Sequence, residues 1–245
     1  MTRLVSLLMT FVMFEILMAL VIKDVKRHRD GEGSPMRVSR EKAARNRDQI
    51  LTSAARLFRE NGIDATGVDS ITKAAGLTHG GLYSHFGSKQ AIVAEAVRFA
   101  LARSRRRWSR TAEGKAHDEA FADIAGYYLS REHRDAHGDG CLVAALSCEI
   151  GRQPPAVRRV FTEELKQVLG FLSGLMPEEI SARRYEDAIA AFACMVGALV
   201  LARAVNDEAL SRRILKTAEK RLGKVATGRR PVRRRASAPR GRANA

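Results

Sequence analysis

Between Thr78 and Lys89 the chain gathers four hydroxyls (Thr78, Tyr83, Ser84, Ser88), two imidazoles (His79, His85), one ammonium (Lys89) and the adjacent glycines Gly80 and Gly81. The Thr78 and Tyr83 hydroxyls, the His85 imidazole, the Lys89 ammonium and the backbone N–H groups of a helix start form a donor set suited to phosphate oxygens. Each glycine costs about 1 kcal/mol relative to alanine inside a helix. A helix that keeps two of them therefore points to a surface that lies close against another body, such as a DNA groove. The competing reading is an aromatic pair packed in a core.

The flanking elements are those that would hold this segment. Ile50, Ala54, Leu57 and Phe58 recur at i, i+4, i+7 and i+8, which predicts a helix between Ser39 and Asn61 with one buried face, closed by Gly62. Thr66, with Asp69 three residues on, reads as the N-cap of a second short helix whose Val68, Ile71, Ala74 and Ala75 face inward. Gly76-Leu77 ends it, and Thr78 caps a third helix through Phe86, with Leu77, Leu82 and Phe86 apolar. Two short helices joined by a turn with glycine make a helix-turn-helix.

Composition and charge agree. The 245 residues, 45% hydrophobic and 29% charged, are ample for a core. Alanine-rich segments with few prolines and no β-type alternation predict an all-α fold. Three cysteines without a Cys-x-x-Cys pair exclude a disulfide framework and a structural zinc spacing, so no cofactor and no metal site is expected. The net charge of +16 is uneven: residues 36–110 hold 15 Lys/Arg against 6 Asp/Glu, and residues 111–223 hold 15 against 17. A basic first half points to a polyanionic partner. Enzyme signatures such as Gly-x-Ser-x-Gly, Gly-x-x-x-x-Gly-Lys and His-Glu-x-x-His are absent, so the chain is not expected to be an enzyme.

The run Gly76-Leu77-Thr78-His79-Gly80-Gly81-Leu82-Tyr83-Ser84-His85-Phe86-Gly87-Ser88-Lys89 resembles the signature of TetR/AcrR-family transcriptional regulators, and the likeness extends over about Arg45 to Val97. The resemblance implies a three-helix DNA-binding domain whose third helix enters the major groove. Thr66, Tyr83, His85 and Lys89 would touch the DNA backbone, and Thr78, His79, Gly80, Gly81 and Ser84 would read bases. Gly81 departs from the commoner hydroxyl or small side chain there. The resemblance further implies a homodimer on a palindromic operator, its reading helices about 34 to 36 Å apart, released by a small-molecule effector that opposes operator binding. The expected effect is repression, in the cytoplasm at the nucleoid.

Beyond this head, helices are predicted over Ser88 to Trp108, Ala116 to Leu129, Cys141 to Ile150, Ala156 to Leu175, Tyr185 to Val205 and Glu208 to Leu222, with Arg134 to Gly140 as a polar connection. Ala188 to Ala202 carries no charge and is too short to span a bilayer, so it is expected to be buried by protein, with Glu208 to Leu222 beside it in a four-helix dimer interface. An apolar ligand pocket among Phe121, Tyr127, Tyr128, Leu146, Phe161, Leu165, Phe171 and Phe192 follows the family pattern, although the same residues would serve as core. Cys141, Cys148 and Cys194 are read as small buried apolar residues, with a redox or electrophile sensor as the alternative.

The expected organisation is an extension over 1–35, the helix-turn-helix domain over 36–87, a regulatory and dimerisation domain over 88–223 and a basic disordered tail over 224–245. Leu4 to Ile22 form 19 residues with one charge, Glu15, which as a helix would span roughly 28 Å. Two readings stand for it. Met36 is the true start and the extension is dispensable, or residues 4–22 tether a DNA-binding regulator to the inner membrane. A nonspecific DNA-binding protein driven by charge is the remaining alternative.

Overall fold

The computed structural model describes residues 35–176 and 183–226, and all regular structure among them is helical. The chain divides into two compact units, Met1–Gln49 and Ile50–Ala245. The described part of the first is helical, and its Arg45 lies 4.0 Å from Glu41, one turn away. The expected segments 4–22 and 227–245 lie outside the described residues.

Helix α1 (Pro35–Asn61) begins before the expected Ser39 and ends where Gly62, at φ 88°, returns its N–H to the Phe58 carbonyl at 2.8 Å. Ile50, Leu51, Ala54, Ala55 and Phe58 are buried, the face that the spacing predicted. Helix α2 (Val68–Ala75) ends at Gly76 in the left-handed region, φ 67°, where glycine carries no steric cost. Helix α3 (His79–Phe86) starts from Thr78, whose hydroxyl accepts the Gly81 N–H at 3.3 Å. Leu82 and Phe86 anchor it in the core.

The rest of the second unit is a helical body: α4 (Lys89–Ala112), α5 (His117–Tyr128), α6 (Arg131–Asp135), α7 (Leu142–Ile150), α8 (Pro155–Ser173), α9 (Arg184–Ala204) and α10 (Glu208–Ala226). Helix α4 packs along α8, and α9 lies between α8 and α10. Ser88 caps α4 by accepting the Ala91 N–H at 3.1 Å.

Several expectations need correction. The N-cap of α2 is Gly67 and makes no side-chain cap; Thr66 is buried and donates backward to the Gly62 carbonyl at 2.6 Å, closing α1 instead. The supposed polar connection 134–140 contains the end of a short helix, α6, with His133 and Arg134 buried. Its polar composition misled because the charges are paired inside the fold. Arg134 donates to Glu208 and to the Ser211 hydroxyl, each at 2.8 Å, and Arg203 donates to the carbonyls of Arg134 and His133 at 2.8 and 2.9 Å. Cys148 and Cys194 are exposed, and only Cys141 is buried. Helix α10 includes residues 224–226, which sequence placed in the tail.

Helix α9 is not enclosed all round. Ala188, Ala191, Phe192, Met195, Leu199 and Ala202 face the core, whereas Ile189, Cys194, Val200 and Leu201 are exposed. Its 21 residues are long and apolar enough to cross a bilayer, and packing of one face into the unit is also what a core helix shows.

Gly140 has no room for a side chain. A Cβ there would stand 2.6 Å from the Ala136 carbonyl oxygen and 2.7 Å from Arg203 Nη2. Gly140→Ala is therefore expected to cost about 1–3 kcal/mol, read as a lower urea midpoint.

Candidate nucleic-acid interface and ligand cleft

On the helix-turn-helix, Gly80, Tyr83 and Ser84 form the exposed side of α3, with Tyr83 45% accessible. A Cβ on Gly80 would meet nothing within 4 Å, so no internal contact requires glycine there. Gly81 is half-buried, and a Cβ there would come 3.4 Å from the Thr78 hydroxyl. Ser84 donates to the Gly81 carbonyl at 2.8 Å, and the exposed Thr78 is engaged as the cap. His85 is half-buried with its ring 6.2 Å from that of Phe86, and Lys89 reaches the Asp64 carbonyl at 3.3 Å. The His79 side chain lies outside the described set. Most of the predicted residues are thus gathered around one helix start, while Thr66 is turned inward.

Two contacts join the end of α1 to the helical body. The Arg59 guanidinium donates to the Gly138 carbonyl at 2.6 Å, and the Ile63 N–H donates to the Glu149 carboxylate at 2.7 Å. Burial lowers the Arg59 pKa, with Asp139 opposing it. Neither contact was visible in sequence, since each joins residues about eighty positions apart.

A small cleft, with a cavity volume of about 30 Å³ and partly open to solvent, lies among α4, α5, α6, α8, α9 and the loop that leads into α7. Of the eight residues expected to line a pocket, Tyr127, Tyr128 and Phe192 do so. Phe121 and Leu146 are instead enclosed core, and Phe161, Leu165 and Phe171 are half-buried against that core without lining this cleft. Sequence reasoning missed Leu101, Ser104, Arg107 and Trp108 from α4, Val168 from α8, and His133, Asp139, Gly140 and Cys141 from the segment between α5 and α7. The 3.6-residue period of α4 assigned its apolar face to the core, and only Trp108, the sole tryptophan, was a signal.

Trp108, Tyr128 and Phe192 meet edge to face with centroids 6.1 to 6.3 Å apart. Arg107 lies over the Tyr127 ring and donates to its hydroxyl at 2.7 Å. Burial, then the neighbouring Cys141, push the Tyr128 phenol well above its ordinary pKa, so it stays protonated. His133 Nδ1 sits 2.6 Å from the Tyr128 carbonyl, which can only accept, so Nδ1 carries the proton. Burial lowers the His133 pKa, and the nearby Arg203 and Arg107 add to this. Among the described residues no group of three or more His, Cys, Asp or Glu could hold a metal ion.

The fold and sites define an all-α chain in which a helix-turn-helix is joined to a helical body with an aromatic cleft. Residues 50–96 match the family model described as bacterial regulatory proteins, tetR family. The chain is 44% identical over 55 residues to the HTH-type transcriptional repressor KstR2 of Mycolicibacterium smegmatis, covering 22% of this chain and 27% of that protein. It is 29% identical over 174 residues to an uncharacterised HTH-type transcriptional regulator of Mycobacterium tuberculosis, covering 66% and 86%. The E. coli NemR crystal structure, reduced form, shares the fold with a TM-score of 0.63 at 19% identity, covering 74% of this chain and 96% of that one. The tetR-family match thus covers the helix-turn-helix segment, and the helical body shares its fold with solved structures of such regulators. The chain spans about a quarter of the length of the KstR2 and AcrR relatives it matches. The relatives named here are transcriptional regulators, in keeping with the expectation that this chain is not an enzyme.

The state of His133 sets a pH dependence. Its folded pKa is depressed below 6.5, so the unfolded chain takes up the proton first as pH falls. The stabilisation is complete above about pH 6.5 and is lost as pH falls toward the folded value. Urea midpoints followed by Trp108 emission are expected to drop between pH 7.5 and 5.5, and to drop less in His133→Gln.

Proposed function

We propose that the chain is a dimeric, sequence-specific DNA-binding transcriptional repressor of the cytoplasm, released from a palindromic operator by a small-molecule effector. The observation that carries this reading is α3: a capped helix, inside the family match, whose outer side keeps a glycine that no internal contact demands. Gly80 leaves room for backbone to approach a groove, with Tyr83, Ser84, His85, Lys89, Thr78 and Gly81 around it and His79 and Thr66 in the same segment. Phosphate contacts position such a helix, and base edges are read beside it.

The exposed apolar residues of α9, Ile189, Val200 and Leu201, support a second copy as partner. The cleft among α4, α5, α6, α8 and α9 supports an effector site. Its wall at Gly140 and Cys141 leads directly into α7, whose far end carries Glu149, and Gly138 beside it holds Arg59. Occupancy of the cleft would therefore bear on the seating of the head, and operator and effector would oppose each other reciprocally.

Selection of bound fragments from the source genome at near-physiological salt tests the core of this reading. An enriched palindrome is expected, whereas uniform recovery would mean that charge alone drives binding. Gly80→Ala is expected to raise stability by roughly 0.5–1 kcal/mol while weakening binding to the enriched site; unchanged binding would remove Gly80 from the interface. Leu201→Glu is expected to convert the dimer to monomer by light scattering.

A further inference from the structure

Helix α10 carries chemically opposite faces on its two sides. Ser211, Leu215, Ala218 and Leu222 recur at i, i+4, i+7 and i+11 and are buried against the body. On the opposite side of the helix Arg213, Lys216 and Lys220, at i, i+3 and i+7, form an exposed row. With the other described residues these three cations form no ion pair. The acids of the helix lie at its flanks, away from that row. Glu208 pairs with Arg212 at 3.5 Å, and the Glu219 carboxylate would stand 3.8 Å from a Cβ on Gly126 of α5. From Lys224 to Ala245 the sequence adds eight Lys/Arg and no Asp or Glu.

A row of unneutralised like charge draws a polyanion. A second copy does not fit it, because two such rows would face each other with the same sign. A lipid surface fits it poorly, because an interfacial helix inserts an apolar face. The apolar face of α10 is occupied inside the body, and Leu210 is its one exposed large apolar side chain among the described residues. Duplex DNA needs neither a matching face nor an apolar one. The row from Arg213 to Lys220 is about 10 Å long, and a duplex presents roughly six phosphate charges over that length of its axis. We propose that the outer face of α10 is a second, sequence-independent docking surface for the phosphate backbone of double-stranded DNA, with Arg213, Lys216 and Lys220 as its contacts. This surface is separate from the contact assigned to α3 and does not depend on it.

The test uses the full chain and a fluorescent duplex of random sequence, with affinity read by anisotropy over a range of NaCl concentrations. The slope of log affinity against log salt changes by about 0.9 for each phosphate contact. Arg213→Gln/Lys216→Gln/Lys220→Gln is therefore expected to flatten it by about 2 to 3 and to weaken binding at low salt. The charge-keeping variant Lys216→Arg/Lys220→Arg is expected to retain the wild-type slope. Arg158→Gln/Arg159→Gln/Lys166→Gln removes the same charge from exposed positions of α8 and is expected to change the slope by less than about one. All the substituted side chains are exposed, so urea midpoints should stay at the wild-type value. An unchanged slope in the α10 variant, or an equal change in the α8 variant, would overturn the proposal. So would vesicles containing phosphatidylserine that bind the wild-type chain and not the α10 variant, with duplex binding the same for both. Preference for the enriched site over random duplex is expected to survive in the α10 variant, and failure to enrich any site would bear on α3 alone.

Discussion

Arg59 extends from α1 to a half-buried position and donates a hydrogen bond to the Gly138 carbonyl. A guanidinium partly withdrawn from water is favoured where its donors are satisfied, and this contact holds the loop before α7 against the end of α1. Glu149, at the other end of α7, takes the Ile63 N–H just beyond Gly62. The fit is close: a Cβ on Gly62 would come 2.9 Å from the Glu149 carboxylate, and one on Gly138 would run into Glu60 and Arg56. These charge-assisted bonds tie the helix-turn-helix to both ends of one short segment.

The opposite side of that segment is held by charge as well. Arg203 from α9 gathers the carbonyls at the end of α6, and Arg134 reaches Glu208 and Ser211 on α10. Residues 131–141 are thus clamped by two arginines, while their inner surface supplies His133, Gly140 and Cys141 to the aromatic cleft. Hydrogen bonds are directional where apolar packing is not. A wall held in this way has one preferred position, and a displacement of it is transmitted to the groups it binds.

The helix-turn-helix was readable because its signals are local. Gly62, Gly76, Thr78 and Ser88 act within four residues of themselves, and the apolar period of α1 needs no partner to be seen. Thr66 shows the limit of such reasoning. A hydroxyl placed before a short helix matches a cap in sequence, yet the Thr66 hydroxyl turns back to the Leu57 and Gly62 carbonyls and caps no N–H of α2. The charged run 131–140 was taken for solvent-facing chain because the partners that bury it lie about seventy positions away.

The amino-acid sequence by itself determined the helical class, the boundaries of most helices, the capped third helix and the tetR-family likeness of residues 50–96, since periodicity, glycine placement and a contiguous motif are properties of neighbouring residues. Tertiary structure alone decided which aromatic side chains line the cleft and which fill the core, which face of α9 remains exposed, and how Arg59, Arg134, Arg203 and Glu149 are paired. The physical reason is range. Burial and ion pairing depend on what packs opposite a side chain, and here that opposite group is commonly seventy or more residues distant in the chain.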